Sequence, residues 1–95
     1  MPSGVLKREV TASLAEFAHG LRNAFPTALS GGPRHFQVRA DAVTMIIDLT
    51  PGEARRIGGL TLPTLTVEIR FLAGDRRAQA ALLAHMDRAM QRGGG

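Results

Sequence analysis

The chain has 95 residues, 44% hydrophobic and 21% charged, a composition typical of one small globular domain and not of a disordered chain. It contains no cysteine, which excludes disulfides, thiol catalysis and thiolate metal sites and favours a cytoplasmic location. The net charge is +4, and all but one of the 12 basic residues are arginines, for which a GC-rich genome is a simpler explanation than anion binding.

The first segment, residues 5–11, is compatible with two structures. Leu6 and Val10 fall on the apolar stripe of the helix that follows, so that helix could begin near Ser3. The alternative is a short edge strand that ends before a capping box at Ser13. We favour the strand, because a capping box in the middle of a helix would leave its hydrogen bonds unused.

A helix is predicted over residues 13–25. Ser13 and Glu16 have the spacing of a capping box, in which the two side chains bind backbone N–H groups at the helix N-terminus. Apolar residues then recur at helical spacing, and Pro26 lies just beyond the expected end. The residues that follow, 27–33, contain Ser-Gly-Gly-Pro and are predicted to form a loop.

Two short runs with a period of two predict a β-hairpin over residues 35–40 and 43–49. With Asp41 and Ala42 in the turn, the apolar residues of the two strands lie opposite one another on a single face. Asp-Ala is not a favoured turn sequence, but the agreement in phase between the two runs favours the hairpin.

The connection after this hairpin is harder to interpret. Residues 50–53, Thr-Pro-Gly-Glu, have the sequence of a type II turn. Residues 54–62 are compatible with either a short bulged strand or a long loop, because an arginine pair and a glycine pair interrupt both the helical and the strand spacing of apolar residues.

Residues 64–72 show the clearest alternation, which predicts a strand of an antiparallel sheet with one covered and one wetter face. Asp75 is the expected N-cap of a helix that extends to about Arg92, followed by a flexible tail, residues 93–95. We therefore predict a single α+β domain over residues 1–92. Its expected architecture is a two-layer sandwich, with two amphipathic helices on one face of a three- to four-stranded antiparallel sheet.

The sheet face away from the predicted helices carries the densest group of polar residues. The hairpin register places His35 opposite Asp48, and a His–Asp pair is the core of many general-base sites; with Glu68 it could form a weak metal site. The candidate ligand-binding residues on this face are His35, Arg39, Asp48, Glu68 and Arg70. Because no nucleophile is placed beside them, we favour a cross-strand row of opposite charges and predict no metal or cofactor.

Two arginine pairs are candidates for anion binding, Arg55–Arg56 and Arg76–Arg77. The first pair lies beside glycines but matches no phosphate-binding motif, and the second lies at a helix N-terminus, where the dipole disfavours cations. Sheet-surface RNA readers stack bases on exposed aromatic residues, but here the strand phenylalanines fall in the buried phase and Tyr and Trp are absent. Nucleic-acid binding through the arginine pairs is therefore possible but not favoured.

No motif assigns a substrate, and the sequence leaves three functional hypotheses. We favour a non-enzymatic binding or accessory module whose partner is another protein or a second copy of the chain, contacted at a sheet edge or around Ile46. The first alternative is a small enzyme or ligand-binding protein that uses the candidate residues around His35 and Asp48; the second is the weak nucleic-acid binder. No membrane partner is expected, because no apolar run approaches the ~18 residues of a membrane span.

Overall fold

The computed structural model describes residues 4–93, which form an α+β fold with antiparallel strand pairing, as the sequence predicts. The elements are, in chain order, β1 (Leu6–Val10), α1 (Leu14–Ala24), β2 (Leu29–Gly31), β3 (His35–Ala40), β4 (Val43–Pro51), β5 (Arg55–Ile57), β6 (Leu60–Leu62), β7 (Leu65–Ala73) and α2 (Arg76–Gly93). The last two residues of the predicted tail lie outside the described residues. No helix within residues 4–93 is long and apolar enough to cross a membrane.

The main sheet has five strands in the order β1-β7-β4-β3-β2, so the predicted three or four strands are too few. The additional strand is β2, which lies in the segment predicted to be a loop and pairs from Leu29 opposite Val38 to Gly31 opposite Phe36. Gly31 has a φ of 95°, and a Cβ added there would lie 2.4 Å from the carbonyl oxygen of His35. Glycine therefore permits this close strand pairing, where the sequence suggested that it breaks the strand.

The predicted β3–β4 hairpin is confirmed with its register, from Ala40 opposite Val43 to His35 opposite Asp48. Asp41 occupies the turn with a φ of 55°, the left-handed conformation that aspartate tolerates better than most residues. Local turn geometry and the two apolar patterns therefore specify the same pairing.

The strand interpretation of the first segment is confirmed, because β1 pairs with β7 along its length and forms one edge of the sheet. The capping box of α1 is also present. The Ser13 hydroxyl accepts a hydrogen bond from the Glu16 N–H at 3.1 Å, and the Glu16 carboxylate accepts one from the Ser13 N–H at 2.8 Å. At α2 the Asp75 carboxylate accepts a hydrogen bond from the Ala78 N–H at 2.8 Å, as expected for an N-cap.

Side chains from both helices and from one face of the sheet form a continuous buried core. Its fully buried members, each less than 2% exposed, are Phe36, Leu21, Met45, Ile47, Leu65, Ile69, Met86, Val38 and Val67. The opposite face of the sheet, here called the open face, is formed by Lys7, Glu9, His35, Gln37, Arg39, Thr44, Ile46, Asp48, Thr66, Glu68 and Arg70. The pleat thus separates the apolar residues of each strand from the polar ones.

The predicted type II turn is wrong. Pro51 is the last residue of β4 and lies opposite Leu65, and Gly52 does not adopt the positive φ that such a turn requires. Instead, the Gly52 N–H donates a hydrogen bond to the Thr64 carbonyl oxygen at 3.0 Å, which continues the pairing of β4 with β7.

Residues 54–62 form neither the single strand nor the long loop considered from the sequence. They fold into a second hairpin, β5–β6, whose two-residue turn is Gly58-Gly59 with a φ of 60° at Gly58. This hairpin is a separate two-stranded sheet that makes few contacts with the rest of the chain. Residues 52–64 are called the arm below.

Candidate functional site

A row of charged side chains crosses four adjacent strands on the open face. Lys7, Glu68, Asp48 and His35 lie opposite one another in the strand register. His35 Nδ1 lies 2.5 Å from Asp48 Oδ1, and Lys7 Nζ lies 3.5 Å from Glu68 Oε2. Arg70 Nη2 approaches the second oxygen, Asp48 Oδ2, at 3.8 Å. The structure thus brings together four of the five candidate residues on this face.

The row consists of solvent-exposed ion pairs. Each carboxylate oxygen of Asp48 faces a basic group, and the His35 side chain is 62% exposed to solvent. Within residues 4–93 no three His, Asp or Glu side chains are grouped so that they could hold a metal ion. Arg39, the fifth candidate, lies opposite Thr44 and takes no part in the ion pairs of the described residues. A ligand-binding role for these residues stays a prediction.

Ile46 does not offer the apolar contact expected on the open face. Its side chain is only 4% exposed, although it lies on the polar side of β4. Its register partners are Gln37 and Arg70, whose long side chains flank it on the two neighbouring strands. The middle of the open face is therefore polar at its surface.

The two arginine pairs lie far apart in the structure. Arg55 and Arg56 are in the arm, which leaves the sheet beside the pairing of Pro51 with Leu65. Arg76 and Arg77 begin α2, which follows the opposite end of β7. A strand of this length separates the two ends by roughly 25 Å, at the usual rise of about 3.3 Å per residue. The pairs therefore cannot bind a single phosphate together.

The arm carries the most exposed large apolar side chains of the described residues that lie together on one face. Ile57 is 54% and Leu60 is 64% exposed, and the two lie opposite each other next to the turn. Arg55 and Leu62 form the next pair on the same face, because positions two apart along a strand point the same way. Gly-Gly between two short apolar runs is a sequence signal for such a hairpin, and it could have been used to predict the arm.

An ion pair that the sequence did not reveal joins β1 to α2. Arg8 Nη1 and Nη2 donate to Asp87 Oδ1 and Oδ2 at 2.6 and 3.0 Å, a bidentate arrangement. This hydrogen bonding is the main cause of a raised pKa at Arg8, and partial burial opposes it. The two residues are 79 positions apart, and no local pattern reports a contact at that separation.

Two cavities adjoin β1, and neither is lined by the candidate residues of the open face. A groove of about 980 Å³ lies between β1, α1 and α2, with Val10, Phe17 and Met90 among its apolar residues and the Arg8–Asp87 pair among its polar ones. A shallower cleft of about 500 Å³ lies at the base of the arm. His35 and Asp48 therefore line neither of these two cavities.

Comparison of the sequence with models of known protein families finds no match, and comparison with curated proteins finds no similar sequence. The function is therefore inferred from the geometry of this chain alone. Three features are available for that inference: the charged row of the open face, the arm, and the edge strand β1 with its ion pair to α2.

Proposed function

We propose that the protein is a non-enzymatic binding module for another protein and that the arm supplies the contact. The supporting observation is the exposure of Ile57 and Leu60, 54% and 64%, on one face of a hairpin that makes few contacts with the rest of the chain. Exposed apolar surface of this kind does not stabilise the isolated chain. Burial against a partner gains about 25 cal/mol per Å² of apolar surface, which favours a protein ligand.

The arm is held at its base in a way that limits the cost of ordering it on binding. Gly52 N–H donates to the Thr64 carbonyl oxygen at 3.0 Å, and the Thr64 hydroxyl donates to the Glu53 carbonyl oxygen at 2.8 Å. Arg55 lies on the apolar face beside Leu62, and arginine is among the residues enriched at the energetic centre of interfaces. A pre-ordered apolar face with an arginine beside it suits protein recognition.

The two alternatives have less support. An enzyme that uses the His35–Asp48 pair would need a substrate pocket beside it, and neither of the two cavities described above is lined by these residues. A nucleic-acid binder would need a continuous basic surface, and the arginine pairs lie at opposite ends of the sheet.

We also propose three further features that the sequence predicts: the two-layer arrangement, the single domain and the cytoplasmic location. A two-layer arrangement, with both helices on one face of the sheet, is supported by the shared core of helix and sheet residues. A self-contained domain is supported by the same core, which spans the chain from Phe17 to Met86. A cytoplasmic location rests only on the cysteine-free composition.

Site-specific photo-crosslinking in the source organism tests the role of the arm. A photoreactive amino acid replaces Leu60 in one variant and, as a matched control, Thr61 in another, because Thr61 lies on the opposite face of the same strand. We expect a discrete protein adduct from position 60 only, and we expect an added Ile57→Ser substitution to remove it. Equal adducts from both positions, or none from position 60, would contradict the proposal.

A further inference from the structure

Strand β1 is an outer edge of the sheet. It pairs with β7 on one side, and within residues 4–93 no strand covers its other side. Val5, which precedes the strand, and Leu6, its first residue, are 49% and 42% exposed. The outer side of an edge strand offers unpaired backbone N–H and C=O groups to a strand from another chain.

The charges of β1 are self-complementary. Lys7 and Glu9 lie on the open face at equal distances from Arg8, with Leu6 and Val10 one step further on the core side. We propose that β1 pairs antiparallel with β1 of a second copy, about a two-fold axis through Arg8. Lys7 then lies opposite Glu9 of the partner subunit, Glu9 lies opposite Lys7 of the partner subunit, and Leu6 lies opposite Val10 of the partner subunit.

The register centred on Arg8 is favoured over the registers centred on Lys7 and Glu9. A two-fold axis perpendicular to the sheet keeps equivalent faces together, so only registers centred on a residue are allowed. Centring on Lys7 would place two lysines opposite each other, and centring on Glu9 would place two glutamates opposite each other. Like charges that face each other directly across two strands are destabilising, and opposite charges stabilise the pair. Centring on Arg8 also places two like charges opposite each other, but of these three registers it alone forms two pairs between Lys7 and Glu9.

The ion pair between Arg8 and Asp87 lowers the electrostatic repulsion at this axis. Two arginines would face each other at the centre of the pairing, and each is already bound in a bidentate manner by the Asp87 carboxylate of its own subunit, at 2.6 and 3.0 Å. Neutralisation of each guanidinium lowers the repulsion between them. The product is a continuous sheet of ten strands, five from each copy, with the core sides of both subunits on the same face.

A mixing experiment with charge-reversed variants tests the pairing. Lys7→Glu and Glu9→Lys each place like charges opposite each other in the homodimer, and we expect each to raise the dissociation constant roughly ten- to hundredfold. Mixed together, the two variants have opposite charges at both positions, so we expect a heterodimer with nearly the affinity of the unmodified protein. Sedimentation equilibrium of each protein and of the mixture gives the masses, and amide NMR spectra establish that each variant is folded.

A matched control separates this interface from a general effect of charge. Arg39→Glu makes the same change in charge as Lys7→Glu but lies on β3, away from β1, and we expect this protein to remain dimeric. Glu9→Lys is the safer of the two test variants, since Glu9 lies opposite Thr66 and makes no ion pair among the described residues, whereas Lys7 contacts Glu68. A monomeric unmodified protein across the accessible concentration range would overturn the proposal. Dimers of the single variants with the same dissociation constant as the unmodified protein would also overturn it. A mixture of the two variants that forms no heterodimer would do the same.

The role of Asp87 gives a second, independent test. Asp87→Asn leaves the two opposed arginines without their counter-charges, and we expect it to weaken the dimer about tenfold. Arg8→Gln in the same protein removes the repulsion, and we expect it to restore most of the affinity. Unchanged affinity in Asp87→Asn would place Arg8 away from the axis and contradict the register. Neither test involves the arm, so its result is separate from that of the crosslinking experiment.

Discussion

Ile46 and Ile47 are neighbours on the central strand β4, and both are almost fully buried, at 4% and 0% exposure. Ile47 lies between Phe36 and Ile69 on the core side, beneath the buried residues of the helices. Ile46 lies on the open face, between polar residues of the neighbouring strands. Equal burial therefore occurs in two different settings: among apolar side chains of the core in one case, and between long polar side chains of the neighbouring strands in the other.

This contrast indicates where the stability of the fold resides. Apolar packing fixes the volume around each core residue, so a deleted group leaves a cavity that cannot close. Long polar side chains on the open face can move, and water can enter when a neighbour is removed. We therefore expect the open face to tolerate changes of sequence better than the core side.

The largest expected effect is a difference between Ile47→Ala and Ile46→Ala. We expect the first to lower the free energy of unfolding by about 4 kcal/mol, because it removes transfer energy and creates a cavity. We expect the second to cost about 1.5 kcal/mol, since the surrounding side chains can relax. Urea denaturation of both variants under the same conditions measures the difference. Equal costs would show that the open face is packed as tightly as the core side.

A smaller effect is expected where β1 is joined to α2. Arg8→Met should lower the free energy of unfolding by about 1 kcal/mol, and Lys7→Met, its matched control on the open face, by less than about 0.5 kcal/mol, since exposed ion pairs contribute little. The pKa of Arg8 is raised by Asp87, so its contribution is present below the ordinary arginine value and is lost only as pH rises through the raised value. The deficit of Arg8→Met should therefore be equal at pH 7 and pH 9. A deficit that shrinks between these values would contradict this origin.

The smallest expected effects are on the charged row. Asp48→Asn weakens the contacts with both His35 and Arg70, and we expect a cost of roughly 0.5–1 kcal/mol. Glu68→Gln loses the contact with Lys7 but also removes a carboxylate directly opposite Asp48, so we expect a change of less than about 0.5 kcal/mol. Thermal unfolding at low and high salt measures both, and the Asp48→Asn cost should decrease with salt. A larger loss in Glu68→Gln than in Asp48→Asn would be inconsistent with this arrangement.

Local signals were sufficient for the parts of the fold in which neighbouring residues determine the structure. The capping box at Ser13 located the start of α1, and matched alternation on both sides of Asp41 specified the β3–β4 register. The opposition of His35 and Asp48 on the open face followed from that register. These features depend on residues at most a few positions from a turn or a cap.

The parts that were missed depend on contacts between distant segments or on short glycine-containing strands. β2 is three residues long and ends in Gly31, so its only strand signal is its partner β3. The arm has three-residue strands, too short for a period to be distinguished. The Arg8–Asp87 pair joins the two ends of the chain, and the exposure of Ile57 can be known only when the rest of the fold is in place. The candidate binding surfaces thus lay where single-sequence reasoning is weakest.

The arm leaves the main sheet and rejoins it at adjacent positions. The chain leaves the sheet at Gly52 and returns at Thr64, and a backbone hydrogen bond of 3.0 Å joins these two residues. The arm is therefore an insertion between two strands that already pair up to Pro51 and Leu65. A two-residue Asn-Gly link in place of residues 52–64 closes β4 directly onto β7 as an ordinary hairpin. We therefore expect the five-stranded body to fold without the arm and to accept other short loops in its place.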